Sequence, residues 1–206
     1  MAYVLGFFTA DGNMLQNKRG AHFIEFQINN GELLEKIREV FGSNHKITAR
    51  KRCKNCKISY RLQIGSKTIF NDLEKLGLTP AKSKTIKLPK VPRKYFSHFV
   101  RGYFDGDGCI SHGIYDRKDR KSKKYVLASR FTSGSRIFVQ DLLKRLRKET
   151  DIIGGFVYNK DRCCFDLVLG MGDSRKLFYF MYNNLFGELF LERKYNKFKE
   201  GVNYLV

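Results

Sequence analysis

The sequence predicts an α+β fold of two like units, and three observations carry that prediction. An apolar run ending in Asp-Gly occurs twice, as VLGFFTADG (4–12) and VRGYFDGDG (100–108), about half a chain apart. Each run is followed by segments of strand and helix periodicity in the same order, the mark of an internal repeat. All three prolines fall between the halves, in TPAKSKTIKLPKVPRK (79–94), which reads as an extended linker. The units are therefore residues 1–94, linker included, and 95–206.

Each apolar run reads as a helix. Gly6 and Ala10 in the first, and Gly102 and Gly106 in the second, are four apart and share a face, so two helix backbones can cross with almost no side chain between them. Asp11 and Asp107 stand at the C-terminal ends, where unpaired carbonyls and the helix dipole already gather negative charge. Gly12 and Gly108 suit the left-handed residue that stops such a helix. AHFIEFQI (21–28) then alternates Ile24, Phe26 and Ile28 with Phe23, Glu25 and Gln27, as a strand does. GELLEKIREVFG (31–42) spaces Leu33, Leu34, Ile37, Val40 and Phe41 as an amphipathic helix. KITARKR and KISYRLQI form a strand pair joined by KNC, and SKTIFNDLEKL (66–76) closes the unit as a helix.

The second half follows the same order: YVLASRFT (125–132) as the strand matching that around Gln27, with Gly134 at the place of Gly31, then a helix over IFVQDLLKRLRK (137–148). FVYNKDRCCFDLVLG supplies a strand pair and DSRKLFYFMYNNLF (173–186) another helix. Its main insertion is DRKDRKSKK (116–124), a basic loop. Each half is thus helix, two strands, helix, two strands, helix, and the expected architecture is two αββαββα units related by a pseudo-twofold axis, each with a four-stranded antiparallel sheet.

Composition narrows the partner. The 206 residues carry 40 Lys and Arg against 20 Asp and Glu, a formal net charge of +20, spread over both halves as +12 and +8. A folded chain that is basic throughout points to nucleic acid more than to a membrane, with binding that weakens steeply as salt rises. No apolar stretch approaches the roughly 20 residues of a membrane span, and the N-terminus has no signal-peptide order, so an intracellular protein of unspecified compartment is expected. Five cysteines, an odd number, fit a reducing compartment better than a disulfide framework. Cys53 and Cys56 form C-x-x-C in a hairpin with no second pair at zinc-finger spacing, and the four histidines show no ligand or nucleophile pattern.

On the residues of VLGFFTADG and VRGYFDGDG, and on the repeated strand and helix order after each, the chain resembles the two-motif LAGLIDADG homing endonucleases over essentially its whole length. The resemblance implies a monomer with no obligatory protein partner, its motif helices packed at the pseudo-twofold axis. It also implies saddle-shaped sheets lying along the major groove of double-stranded DNA. The implied activity is a double-strand break at a long, asymmetric site by metal-dependent phosphodiester hydrolysis. The cofactor would be Mg²⁺, held by Asp11 and Asp107 with the backbone carbonyls of Ala10 and Gly106, and Ca²⁺ would support binding without efficient cleavage. Asp105 has Thr9 as its counterpart in the other motif and is expected to cap or orient.

Further catalytic roles follow from the resemblance for Gln27, with Arg130 as its partner in the second half. Lys82 falls to a basic position near the phosphate, with Arg193 as its counterpart and Lys194 as the alternative. The polar sheet faces should read DNA through Glu25, Arg50, Arg52, Arg61, Gln63, Arg130 and Asp166, since Arg and Gln match the guanine and adenine edges of the major groove. An intron RNA maturase and a cleavage-inactive, sequence-specific DNA binder are the alternative functions. A free-standing intron product is expected over a protein-splicing element.

Overall fold

The computed structural model describes residues 1–204 apart from 52, 117–121, 162, 184 and 186. Helix α1 (Ala2–Asp11) leads into strands β1 (Asn13–Gln16) and β2 (His22–Ile28), helix α2 (Gly31–Val40), strands β3 (Ile47–Arg50) and β4 (Ser59–Gly65), and helix α3 (Lys67–Lys75). The order recurs as α4 (Phe96–Asp107), β5 (Gly108–Asp116), β6 (Lys123–Ser133), α5 (Arg136–Glu149), β7 (Phe156–Asp161), β8 (Cys164–Leu169) and α6 (Met171–Tyr182). Both sheets are antiparallel and have the same topology, β1-β2-β4-β3 and β5-β6-β8-β7. Arg52 and the centre of the basic insertion, 117–121, lie outside the described residues.

Local chemistry starts the helices where the pattern changes from two to 3.6. The side chains of Asn30, Ser66 and Ser135 accept the N–H of Leu33, Ile69 and Phe138, each satisfying a donor that the first helical turn leaves unpaired. Ser135 is thus the equivalent of Asn30, and Gly134 precedes that cap whereas Gly31 follows it, so the expected match of the two glycines is displaced by two residues.

Each sheet buries one face under helices. Ile24, Phe26, Leu62 and Ile64 are buried beneath Phe8 of α1 and Leu33, Leu34 and Ile37 of α2; Leu127, Phe131, Leu167 and Leu169 are covered by Phe104, Phe138, Leu142 and Leu146. The opposite face of the first sheet is polar, while that of the second is mixed, with Val126, Ala128, Phe156 and Val168 beside Arg130, Thr132, Tyr158 and Asp166. Among the described residues no helix is long and apolar enough to cross a membrane.

Helices α1 and α4 cross at the centre of the molecule in direct backbone contact. A Cβ on Gly6 would lie 2.0 Å from the carbonyl oxygen of Phe99, and one on Gly102 would lie 2.0 Å from that of Tyr3. The two glycines answer each other across the pseudo-twofold axis.

Four expectations are corrected. Gly12 and Gly108 are extended (φ −78°, ψ 149° and φ −86°, ψ 153°), not left-handed. Glycine is needed there because a Cβ would sit 2.1 Å from the Phe8 ring at one and 2.3 Å from the Phe104 ring at the other. The linker is packed, with 3₁₀ turns at Lys82–Lys84 and Arg93–Tyr95 and with Ile86 and Val91 buried. Arg145 pins it by donating to the Val91 carbonyl and lying 3.9 Å from the Phe96 ring centre. The second half gains helix α7 (Glu192–Asn203), whose inner face is Leu191, Lys194, Phe198 and Val202. Cys53 and Cys56 form a disulfide across the β3–β4 connection, where reduced thiols were expected; the C-x-x-C spacing in a tight turn brings their Cα atoms to 5.1 Å.

Candidate active site at the paired helix ends

The close crossing brings the C-termini of α1 and α4 side by side. A Cβ on Gly106 would lie 2.4 Å from Ala10 Cβ and 3.3 Å from Asp11 Oδ2, so the two motif ends touch. Asp11 opens toward solvent and Asp107 is half-buried, and neither forms an ion pair among the described residues. The protein around them still excludes much of the water. Burial pushes the Asp107 carboxyl up to about 6, with the charge of Asp11 adding to the effect and Lys194 and Lys82 opposing it. Asp11 is raised too, first by burial, against the pull of Lys194 and Lys82. Two acids at two helix C-termini make a concentration of negative charge that no neighbour neutralises by direct contact among the described residues.

Beneath each helix end lies one buried lysine. Lys82 donates to the carbonyl of Gly12 and sits 5.1 Å from the Phe8 ring centre. Lys194 donates to the carbonyls of Phe104 (2.8 Å) and Gly106 (2.9 Å), and sits 5.8 Å from the Phe104 ring centre. Both are 7 % exposed. Burial lowers each to about 8, the neighbouring carboxylates pulling the other way. The counterpart of Lys82 is therefore Lys194 and not Arg193. Arg193 is exposed and reaches an open cleft of about 810 Å³ that Asp11, Gln27, Lys57 and Ser59 also line.

Asp105 stands behind the site. It is 2 % exposed, accepts the Tyr3 hydroxyl (2.7 Å) and the Leu191 N–H (2.8 Å), and so ties α1 and the start of α7 to α4. Its other oxygen has no partner, and burial pushes the carboxyl up to about 6. It does not line the cleft, and its bond to Leu191 fixes the start of the helix that delivers Lys194.

The register of the sheets corrects a second pairing. Phe8 meets Phe26 edge-on at 5.2 Å and Phe104 meets Phe131 in the same way at 5.2 Å; Leu62 pairs with Phe26 as Leu167 does with Phe131. Phe26 and Phe131 are therefore equivalent, which makes Thr132 the counterpart of Gln27 and Glu25 the counterpart of Arg130. The expected pairing of Gln27 with Arg130 was two residues out. A two-residue slip keeps every side chain on its own face, so strand alternation cannot detect it.

Cross-strand pairing puts Glu25, Gln27, Arg61, Gln63, Ser59 and Arg50 on one face of the first sheet. Gln27 donates to Ser59 Oγ at 2.9 Å, and Arg50 is exposed beside it. On the second sheet Arg130, Thr132, Asp166 and Tyr158 share the corresponding face. Asp166, expected to be a reading residue, is fully buried and accepts Thr132 Oγ1 (2.7 Å), Tyr158 Oη (3.0 Å) and Arg130 Nη1 (3.4 Å), so its oxygens are occupied by the protein itself.

Sequence reasoning passed over Ser59, Thr132 and Tyr158, and put Lys194 second. The signal for Lys194 was present: Leu191, Lys194, Phe198 and Val202 lie at helical spacing on one face, which turns Lys194 inward and Arg193 outward.

Comparison with known proteins agrees with this architecture. Residues 1–77 match the family model of the LAGLIDADG-like domain. Over 65 residues the chain is 40 % identical to a probable translation initiation factor IF-2 of Thermococcus kodakarensis, covering 30 % of this chain and 5 % of that protein. Over 107 residues it is 33 % identical to a reverse gyrase of Methanocaldococcus jannaschii, covering 52 % of this chain and 6 % of that one. The chain thus spans about one twentieth of the length of these curated relatives. Among solved structures, I-SmaMI bound to an uncleaved DNA target in the presence of calcium ions superposes with TM-score 0.67 at 15 % identity, over 98 % of this chain and 89 % of that one. The LAGLIDADG meganuclease I-AabMI bound to uncleaved DNA gives 0.65 at 14 %, over 98 % and 90 %. Residues 1–77 thus match the LAGLIDADG-like domain, the motif of that segment recurs at 100–108, and over 98 % of its length the chain shares the fold of these solved structures.

Proposed function

We propose that this chain is a site-specific DNA endonuclease that works inside the cell as a monomer and makes a double-strand break at a long, asymmetric target, with 1–94 and 95–206 as its two DNA-binding halves. The observation that carries this reading is the pair Asp11 and Asp107, held side by side at the ends of two crossing helices without an ion-pair partner among the described residues. The polar outer face of the first sheet and the mixed outer face of the second flank the pair on a protein of net charge +20. A protein that only bound DNA would gain nothing from concentrating carboxylates where phosphates approach.

The donor set fits a hard divalent cation such as Mg²⁺. Among the described residues no cluster of three or more His, Cys, Asp or Glu side chains converges, so the ligands would be the carboxylates of Asp11 and Asp107 and backbone oxygens of Ala10 and Gly106. Ca²⁺ fits the same oxygens, which is the basis for expecting binding without efficient cleavage in its presence. When bound, the cation supplies Lewis-acid polarisation of the scissile phosphate and acidifies water.

The chain's own residues do the rest. Lys82 and Lys194, cationic at neutral pH and anchored to the helix-end carbonyls, offset the charge that builds on each phosphate. Gln27, oriented by Ser59, offers both a donor and an acceptor to water in the first half; in the second, Thr132 stands at that place with its hydroxyl committed to Asp166. Arg193 reaches the cleft near Asp11 and contacts the DNA backbone there. The face residues Arg50 and Gln63, with Arg52 outside the described residues, contribute to DNA binding.

The test is incubation of the full chain with fragmented DNA of its source organism in Mg²⁺, followed by sequencing of the ends. One recurrent double-strand cut is expected, abolished by Asp11→Asn and by Asp107→Asn while both variants still retard the cut fragment in a gel. Absence of any Mg²⁺-dependent ends, or undiminished cutting by both variants, refutes the assignment.

A further inference from the structure

The two sheets carry one ionic device in opposite senses. In the first half the β2 position holds Glu25 and the β4 position holds Arg61, with Arg61 Nε and Nη2 both directed at Glu25 Oε2 (2.6 and 2.5 Å) and Gln63 Nε2 at 3.5 Å. In the second half the equivalent of Glu25 is Arg130 and the equivalent of Arg61 is Asp166, joined through Arg130 Nη1 at 3.4 Å. Carboxylate and guanidinium have changed places across the pseudo-twofold axis.

The members of each pair are not equally available. The carboxylates are spent: Asp166 is fully buried with three donors on it, and the Glu25 side chain, 13 % exposed, takes Arg61 twice and Gln63 once. The arginine side chains remain 42 % (Arg61) and 36 % (Arg130) exposed on the outer faces of their sheets. A guanidinium has five N–H donors, so the contact with its carboxylate leaves enough for a two-pronged contact elsewhere. A carboxylate used this way does not read bases. It sets the angle of the arginine beside it.

We propose that Arg61 and Arg130 are the guanine-reading residues of the two halves, and that Glu25 and Asp166 are positioning residues that aim them. The inference rests on the endonuclease reading above, since it takes DNA as the ligand. Arginine is the side chain whose planar fork matches guanine O6 and N7 in the major groove. The readers stand on different strands of their sheets, Arg61 on β4 and Arg130 on β6, the equivalent of β2. Neighbouring strands are about 4.8 Å apart, and bases stack about 3.4 Å apart along a strand, so exchanging the strand shifts the base read by about one step. The two half-sites therefore carry guanine preferences that are not mirror images, and the offset is written in which strand holds the arginine.

The test is selection of a randomised duplex library by the full chain in Ca²⁺, with sequencing of the bound fraction. For wild type a guanine preference is expected in each half-site, at non-mirrored positions. Arg61→Gln and Arg61→Lys should each lower the preference at one base of one half-site by about tenfold or more, leaving the other half unchanged, and Arg130→Gln and Arg130→Lys should do the same on the other side. Asp166→Asn should relax only the base assigned to Arg130. The transposition Glu25→Arg with Arg61→Asp gives the first half the sense of the second and should move its guanine preference by about one base toward mirror symmetry.

If wild type enriches no sequence, the site-specific reading itself fails and this inference with it. If wild type selects a defined site but the arginine variants weaken all sequences equally, or the lysine variants keep the full base preference, the arginines hold phosphates. This inference then falls while the endonuclease reading stands. Variants are compared only where thermal melting shows a folded protein, and the lysine variants, which keep the charge beside the carboxylate, cover failure of the glutamine ones.

Discussion

Replacing Gly6 with alanine tests whether the helix crossing is as tight as the backbone positions make it. The new Cβ would be 2.0 Å from Phe99 O and 2.9 Å from Phe99 C and Tyr103 N. All of these are backbone atoms of α4, so no rotamer change can relieve the overlap. Bringing a methyl and a carbonyl oxygen to an ordinary contact of about 3.4 Å requires the helices to separate by more than an ångström, against close packing on both sides. Phe7, Phe8, Phe99 and Tyr103 are buried around the crossing and lose contact as it opens. Overpacking of a core costs about 1–3 kcal/mol and sometimes more, and a clash with backbone belongs at the upper end. A loss of about 3 kcal/mol is expected, or roughly 6–12 °C in melting temperature for a chain of this size. Gly102→Ala meets Tyr3 O at the same 2.0 Å and should cost as much, while the double variant should cost less than the sum because one opening relieves both clashes. Gly172→Ala is the control: it lies inside α6 with nothing within 4 Å, and should stabilise by about 0.5–1 kcal/mol. Urea or thermal unfolding measures all four. A Gly6→Ala protein within about 0.5 kcal/mol of wild type, where ordinary surface substitutions fall, would show that the crossing has slack and refute the reasoning.

Two further outcomes follow from the charges. With its carboxyl raised to about 6, Asp107 favours folding in its protonated form, so its contribution is present below about pH 4 and is lost as pH rises through 6. Ionised Asp107 then costs up to about 3 kcal/mol in metal-free protein, and Asp107→Asn should raise the melting temperature at pH 7.5 but not at pH 4; equal shifts at both would refute it. Lys82 and Lys194, lowered to about 8, contribute fully only above about pH 10.5 and lose that contribution as pH falls through 8. Lys194→Met should therefore stabilise at pH 7 while slowing cleavage, whereas exposed Arg193→Met should leave stability within about 0.5 kcal/mol; a loss of stability in Lys194→Met would show that its bonds to Phe104 and Gly106 outweigh its burial.

The fold was legible in the sequence because its signals were doubled. Strand and helix periods and the glycines at the crossing stand in the chain order. The acids of the candidate site were legible for the same reason, since Asp11 and Asp107 occupy one place in two copies of a motif. What failed were correspondences that periodicity leaves open. A two-residue slip in β6 preserves its faces, so Arg130 was set against Gln27 when cross-strand register sets it against Glu25. Gly12 and Gly108 follow helices, as left-handed glycines do, yet are required by the rings of Phe8 and Phe104, a tertiary cause that a local reading lacks. The disulfide went unread because an odd cysteine count speaks of the chain as a whole, and Cys53 and Cys56 are joined by a local turn.

The pseudo-symmetry is kept in one layer and abandoned in the next. Gly6 and Gly102, Phe8 and Phe104, Gly12 and Gly108, Asp11 and Asp107, Lys82 and Lys194 match pair by pair at the helix ends. On the sheet faces the ion-paired positions are unlike: Glu25 with Arg130 and Arg61 with Asp166. Under the proposed function this division follows from what each layer meets. The scissile phosphates of two strands are chemically alike, so the acids and lysines around them answer to one requirement. Base edges on the two sides of a target are under no such identity. A symmetric dimer would have to place Glu25 opposite a second Glu25 and could address only a symmetric site, whereas a single chain lets each sheet reverse its ion pair without disturbing the other. Since Glu25 and Asp166 both remain paired with an arginine, each reversal keeps its carboxylate satisfied, and so recognition can change while the net charge of the pair does not.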